Sequence, residues 1–251
     1  MDILLERLSS DPGDTGIFSD FDGTLSEIVD DPADARAVDG APEVLTALAE
    51  VYQRVGVISG RPARFLKDRL NGNGLLLSGL YGMETVQDGA VVATDEATGW
   101  KPVVEELAAR ARRDLGVGLH VEDKGLSVTI HYRGALDHAG AARRYAEAAA
   151  QSTGLVLHEA RLSYELAPPI VTSKGTVLAD FARGIGTACF IGDDRGDLAA
   201  FDALDDLAVS GATTFRIAVE SAEAPAELLT RADLVVEGPE AVVSLLQQLL
   251  R

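Results

Sequence analysis

The sequence predicts an α/β protein: a doubly wound, mostly parallel sheet with helices on both faces, interrupted by an inserted smaller α/β domain. Three observations predict it. Short, wholly apolar runs alternate with segments of helical period. Polar, glycine-containing turns follow the apolar runs. The middle of the chain then changes character, to strands in which polar and apolar residues alternate. On this reading residues 1–98 and 170–251 form one core and residues 99–169 a cap domain.

Residues 17–21 read as the first strand, ending in Asp20-Phe21-Asp22-Gly23-Thr24-Leu25. If they are extended, period-two geometry puts Asp20 and Asp22 on one side of the strand end. Residues 26–40 are polar, with Asp30-Asp31-Pro32, and read as a loop. Pro42 opens a helix to about residue 52, with Val44, Leu45, Leu48 and Val51 as its apolar stripe. Val55-Gly56-Val57-Ile58 suits a strand buried on both faces, and it ends at Ser59-Gly60-Arg61-Pro62, where a second helix begins. Residues 75–80 form a third strand, running into Leu80-Tyr81-Gly82-Met83-Glu84, and Asp88-Gly89 marks a hairpin. Doubly wound sheets bind ligands at the carboxyl ends of their strands, where these turns lie.

The cap domain reads α-β-β-α-β-β: a helix over 102–115, two strands within 120–133, an alanine-rich helix over 136–152, and two strands within 155–167. Leu126, Val128, Ile130 and Tyr132 share one face of a strand, against Ser127, Thr129, His131 and Arg133. Leu162, Tyr164 and Leu166 alternate likewise with Ser163, Glu165 and Ala167. Helices covering the apolar face leave a polar one, either a lid surface or an ordinary solvated face. The core then resumes with a helix over 173–183 carrying Lys174-Gly175 in its first turn. A strand over 187–191 ends in Gly192-Asp193-Asp194-Arg195-Gly196-Asp197. A helix through Phe201 and Leu204, strands at 207–210 and 217–219, a helix at 224–229, a strand at 234–236 and a helix from Pro239 complete the chain.

Composition narrows the function. With 22 basic against 40 acidic residues, a net charge of −18, the chain lacks the basic footprint that nucleic acids and anionic membranes require. An anionic substrate would have to be met by local cations or a metal. The one cysteine, Cys189, sits in an apolar run and reads as a small buried hydrophobe in a reducing compartment. The first residues lack the basic and long apolar regions of a signal peptide, and no run approaches the roughly 20 apolar residues of a membrane span. A cytoplasmic monomer is expected.

Two carboxylates at one strand end are costly unless a cation or a shared proton relieves them. Such a pair could divide the work, one as nucleophile and one as proton carrier; a solvated acidic turn would explain the pair if nothing else agreed. Ser59 could offer a hydroxyl and neighbouring N–H groups to a phosphate, although serine in a turn is ordinary. Lys174 faces the positive end of a helix dipole, which disfavours it unless an anion binds there. Asp193 and Asp194, with Asp197 one turn on, favour a divalent ion, and hard oxygen donors suit Mg²⁺. The helix dipole alone would explain one of these aspartates, not three.

Taken together, D-x-D-G-T, S-G-R, K-G and G-D-D-x-x-D, in that order, resemble the motifs of the haloacid dehalogenase-like (HAD) phosphohydrolases, which have a Rossmannoid core. The resemblance implies that Asp20 is the nucleophile and forms an aspartyl-phosphate, that Asp22 is the general acid and then the base, and that Ser59 and Lys174 hold phosphate oxygens. It also implies Mg²⁺ held by Asp20, Asp22 through its backbone carbonyl, Asp193 and Asp194. Residues 79–84, Glu122-Asp123-Lys124-Gly125, His131-Tyr132-Arg133 and Tyr164-Glu165-Leu166 resemble, more closely, the trehalose-6-phosphate phosphatase family. That resemblance implies a sugar-phosphate substrate whose hydroxyls contact Glu122, Lys124 and Glu165 as the cap closes, with Arg61, Tyr81, Glu84 and Arg133 as further substrate-binding candidates. Any coupling to trehalose-phosphate synthesis is expected to be with a separate trehalose-phosphate synthase chain. The sequence departs from the family at Tyr81, usually histidine, at Ala167, commonly arginine, and at Gly196 and Leu198, usually threonine and glutamate. Those departures leave the phosphoryl chemistry intact and keep open another disaccharide or pseudo-disaccharide phosphate. A non-catalytic sugar-phosphate sensor and a phosphomutase are the readings from other classes.

Overall fold

The computed structural model describes residues 2–29, 31–70, 74–116, 118–160, 162–221 and 224–251. Asp30, expected in the first loop, lies outside them. The chain divides into two compact units, Met1–Val92 with Thr172–Arg251, and Ala93–Val171.

In chain order the first unit opens with α1 (Asp2–Ser9), β1 (Thr15–Ser19), α2 (Ala41–Val51), β2 (Arg54–Ile58), α3 (Ala63–Leu70), β3 (Leu76–Gly79), β4 (Glu84–Gln87) and β5 (Ala90–Ala93). The second unit holds α4 (Asp95–Asp114), β6 (His120–Asp123), β7 (Val128–His131), α5 (Ala139–Thr153), β8 (Val156–Ala160) and β9 (Ser163–Ala167). The first unit closes with α6 (Lys174–Phe181), β10 (Thr187–Gly192), α7 (Leu198–Val209), β11 (Thr213–Glu220), α8 (Ala226–Arg231), β12 (Leu234–Glu237) and α9 (Gly238–Gln248).

The first unit's sheet runs β12-β11-β10-β1-β2-β3-β4-β5. Pairing is parallel from β12 through β3 and turns antiparallel at β3–β4. The apolar strands are buried on both faces, as their unbroken runs require. Ile17, Val55, Val57, Cys189 and Ile191 pack against α1, α2, α3 and α9. Phe18, Ile58, Ala188 and Phe190 pack against α6, α7 and α8 on the other face. Strand order moves outward from β1 in one direction and from β10 in the other, so a crevice opens at the carboxyl ends of these two strands. The hairpin forms where Asp88-Gly89 predicts it, with both residues at positive φ.

Four local expectations are corrected. Residues 207–209, expected to begin a strand, are the last turn of α7, closed by the Ser210 N–H donating to the Asp206 carbonyl. Three apolar residues are too few for periodicity to decide, and Val209 points into solvent, where a central strand residue would not. Helix α1 falls where no element is expected; Leu4 and Leu8, one turn apart, anchor it to the core. Val51 ends α2 exposed rather than on its buried stripe. Helix α4 starts at Asp95 rather than Pro102, because Thr94 caps it by accepting the Ala97 N–H at 3.2 Å. The 98/99 boundary therefore lies within this helix, and Pro102 inside it lacks the N–H that would reach the Thr98 carbonyl.

The second unit's sheet runs β6-β7-β9-β8 and is antiparallel throughout. Val128, Ile130, Tyr164 and Leu166 form one buried layer with Val104, Leu107 and Ala108 of α4 and Ala142, Ala146 and Ala149 of α5. The opposite face carries a cross-strand row, Glu122–Thr129–Glu165–His158, in register. Among the described residues no helix is long and apolar enough to cross a membrane.

Candidate active site

The site is built where β1 and β10 end side by side. The Asp20 N–H donates to the Ile191 carbonyl at 2.8 Å, carrying the β1–β10 ladder one residue past the strand and turning Asp20 inward. Asp193 follows β10, and its carboxylate packs against Gly23, where a Cβ would lie 2.1 Å from Asp193 Oδ2. Gly23, at φ 75°, is thus required both by the turn and by this approach. Asp20, Asp193 and Asp197 bring carboxylate oxygens within 4.8 Å of one another, all buried.

One cation balances part of this charge. Lys174 is the first residue of α6, set in place by a capping box between Ser173 and Thr176. Its Nζ stands 2.9 Å from Asp20 Oδ2, 2.6 Å from Asp197 Oδ1 and 3.6 Å from Asp194 Oδ1. Helix α6 reaches this depth because position 175 is glycine: a Cβ there would lie 2.2 Å from the Ala199 carbonyl oxygen of α7. Burial disfavours charge on Lys174, but Asp197, Asp20 and Asp194 outweigh it and hold the ammonium well above its ordinary range.

The carboxylates divide into structural and available groups. Asp197 Oδ2 accepts the N–H groups of Asp193 and Asp194, each at 3.0 Å, and its Oδ1 takes Lys174, so both oxygens are engaged within the protein. Burial pushes it up to about 6, against the pull of Lys174. Asp193 Oδ1 is buried without a hydrogen-bond partner. Burial, then Asp197 and Asp194, push Asp193 up to about 8. Burial likewise raises Asp20; Lys174 opposes it and the three neighbouring aspartates add to it. The Lys174 ammonium, 2.9 Å away, offsets part of the negative charge at Asp20, and a divalent cation would relieve the remaining repulsion. Orphaned buried carboxylate oxygen and hard donors together fit Mg²⁺, with Asp20 and Asp193 as the side chains to hold it.

The structure regroups the residues expected from the motifs. Asp22 does not share the buried cluster with Asp20, because β1 ends at Ser19 and the period-two geometry ends with it. Its carboxylate pairs with Arg61 instead, Nε to Oδ2 and Nη2 to Oδ1, both at 2.7 Å. It stays close enough for its charge to add to the upward push on Asp193. Asp194 turns outward, its Oδ1 accepting the Gly196 N–H at 2.8 Å, and Asp197 takes its place in the carboxylate group. Burial would raise Asp194, yet Lys174, a side-chain hydrogen bond with Asp197 and the N–H groups of Gly196 and Asp197 leave it below the ordinary value. Ser59 is buried at the end of β2, with its Oγ accepting the Arg61 N–H at 3.2 Å. Glu84 Oε2 accepts the N–H of Ala63, the first residue of α3. Tyr81 follows Leu80 with both at positive φ, a strained pair for non-glycine residues. Its carbonyl accepts the Thr172 hydroxyl.

In the second unit Lys124 Nζ lies 3.3 Å from Glu165 Oε1, which also accepts the Ser127 hydroxyl at 2.6 Å. Glu122 Oε2 lies 2.9 Å from His131 Nε2. Thr129, between Glu122 and Glu165 in the row, has a buried hydroxyl without a partner. Arg133 lies just beyond β7 and is half-buried.

The chain matches the family described as trehalose-phosphatase over residues 18–234. It belongs to that family. It is 38% identical over 206 residues to the trehalose-phosphate phosphatase of Mycolicibacterium paratuberculosis, covering 78% of this chain and 52% of that protein. This trehalose-phosphatase family member thus spans about half the length of the curated relatives it matches. Its fold is similar to that of a trehalose-6-phosphate phosphatase related protein, with TM-score 0.79 and 24% identity over 92% of this chain and 95% of the other. It is similar also to the C-terminal domain of C. albicans trehalose-6-phosphate phosphatase, with TM-score 0.75 and 21% identity over 99% and 96% of the two chains. The family member has the HAD-type α/β core expected from the motifs.

Proposed function

We propose that this family member is a Mg²⁺-dependent phosphatase that hydrolyses trehalose 6-phosphate to trehalose and phosphate. The observation that supports it most is the buried Lys174–Asp20–Asp193–Asp197 group at the carboxyl ends of β1 and β10. A lysine inserted among three sealed carboxylates is out of place in a purely structural core, and is what transfer of a phosphoryl group requires: a nucleophile beside fixed positive charge.

In this reading an Asp20 carboxylate oxygen attacks phosphorus. The bond from phosphorus to the sugar oxygen breaks, and that oxygen takes a proton from Asp22. Water then attacks the aspartyl-phosphate, losing a proton to Asp22, and the phosphorus–Asp20 bond breaks to release phosphate and restore both aspartates. Lys174 and the Ser59 hydroxyl hold non-bridging oxygens throughout. Bound Mg²⁺ supplies positive charge that offsets repulsion between Asp20 and the substrate. Glu122 and Glu165 of the second unit's polar row, with Lys124 bonded to Glu165, recognise sugar hydroxyls, which suit paired carboxylates and an ammonium.

The test is phosphate release from trehalose 6-phosphate, glucose 6-phosphate and sucrose 6-phosphate at equal concentration, with and without Mg²⁺. A strong Mg²⁺-dependent preference for trehalose 6-phosphate is expected. Equal, slow release from all three would retain a phosphatase and reject this substrate; no release from any would leave a sugar-phosphate sensor.

A further inference from the structure

We propose that Arg61 is a positioning residue that aims Asp22, rather than a residue that binds substrate; this rests on the phosphatase reading above. The Arg61 guanidinium donates to protein oxygens on the segment after β1. Nε and Nη2 donate to the two oxygens of Asp22, and Nη1 donates to the Pro32 carbonyl at 2.7 Å. The guanidinium lies 4.7 Å from the centre of the Phe65 ring, which meets Phe21 edge-on at 5.7 Å. The main chain is fixed too: the Arg61 N–H donates to Ser59 Oγ and its carbonyl accepts the Leu80 N–H. The guanidinium plane is therefore set at its edge by three oxygens and on one face by an aromatic ring.

That arrangement is unlike an arginine awaiting a phosphate, whose fork would be open to an incoming anion. Here the fork is filled by Asp22, and the side chain of Arg61 is only 13% exposed. Asp22 lies beyond the end of β1 on an irregular segment, with its side chain 35% exposed, so strand pairing does not orient it. The clamp does. The fork takes one lone pair from each Asp22 oxygen and leaves another on each for the proton the reaction moves. A lysine, with a compact charge and no fork, could neutralise Asp22 but not fix its plane.

The experiment compares Arg61→Ala, Arg61→Lys, Asp22→Asn and the Asp22→Asn/Arg61→Ala pair in single turnover with saturating enzyme and Mg²⁺. One substrate is a sugar 6-phosphate, whose alkoxide needs a proton to leave, and the other is p-nitrophenyl phosphate, whose phenolate does not. Alcohol release should fall about 100-fold in both Arg61 variants, at the scale of lost general-acid catalysis, while p-nitrophenol release stays within about threefold. The double variant should be no slower than Asp22→Asn alone. Added guanidinium should restore alcohol release in Arg61→Ala and not in Asp22→Asn. Equal losses on both substrates, a higher enzyme concentration needed for saturation with an unchanged limiting rate, or multiplying losses in the double variant would each overturn the proposal. Arg61→Lys, which retains the charge and most of the side-chain volume, keeps the comparison valid if Arg61→Ala does not fold. Wild-type inactivity on both esters would instead overturn the phosphatase reading itself.

Discussion

Lys174 Nζ lies 2.6 Å from Asp197 Oδ1, and neither side chain is more than 3% exposed. Asp197 is thereby the anchor of the site rather than one of its reagents: it fixes the lysine with one oxygen and the turn at Asp193 and Asp194 with the other.

Breaking this pair leaves a buried charge without its partner. Lys174→Ala should cost on the order of 3–5 kcal/mol of stability, read from urea unfolding of the Mg²⁺-free protein. A loss under about 1 kcal/mol would show that water reaches the cluster and that the lysine is there for substrate alone.

Asp193 should behave in the opposite way. Its Oδ1 is buried among like charges without a partner, so Asp193→Asn should raise the melting temperature of the Mg²⁺-free protein. The wild type should gain about 2.7 kcal/mol at Mg²⁺ concentrations a hundredfold above Kd, and the variant almost nothing. An undiminished Mg²⁺ response in Asp193→Asn would remove this carboxylate from the metal site.

Asp20→Asn should lower turnover by on the order of 10³-fold or more, in line with loss of a nucleophile, while substrate binding stays measurable by calorimetry. Acid-quenched wild type should carry a phosphoryl group at Asp20 detectable by mass spectrometry. Turnover near the wild-type rate would end its assignment as nucleophile.

Glu122→Ala should raise KM for the disaccharide phosphate about tenfold, equivalent to about 1.4 kcal/mol, and barely affect p-nitrophenyl phosphate. Parallel losses on the two substrates would mean that the Glu122–His131 pair supports the second unit's sheet and does not read sugar.

Cys189 offers a pH test remote from the chemistry. Burial pushes its thiol from 9.0 up to about 12. Between those values the unfolded chain has lost the proton that the folded one retains. Its contribution is therefore fully present below pH 9 and is lost as pH rises towards 12. Cys189→Ala should flatten the alkaline limb of a stability–pH curve, and the native thiol should resist alkylation at pH 8. Fast native-state labelling would contradict its burial in the core.

Much of the core was legible because burial on both faces leaves a plain mark on sequence. The runs ending at Ser59 and at Gly192 contain almost no polar residue, as strands buried on both faces of a parallel sheet require. The polar turns after them gave the site's address, and Asp20, Ser59, Lys174 and Asp193 all lie at that end of the sheet. What escaped was whatever depends on side-chain direction past a strand end. Asp193, Asp194 and Asp197 are chemically identical in sequence; which two turn inward is decided by a turn in which Asp194 accepts the Gly196 N–H. The partner of Arg61 was equally hidden, since Asp22 lies on another turn and nothing in either local sequence specifies the pairing. At 207–209 the failure was of period: a three-residue apolar run fits a helix end as well as a short strand.

The contact between Gly175 and the Ala199 carbonyl has a consequence for how the protein can change over generations. With 2.2 Å from the position of an added Cβ to that oxygen, even alanine would push α6 off α7 and carry Lys174 away from its carboxylates. A library randomised at position 175 and selected for turnover would return glycine. If the polar row of the second unit reads sugar hydroxyls as proposed, a library randomised there would return many answers, and new substrate preferences would arise in that row while the lysine and its aspartates stay unaltered.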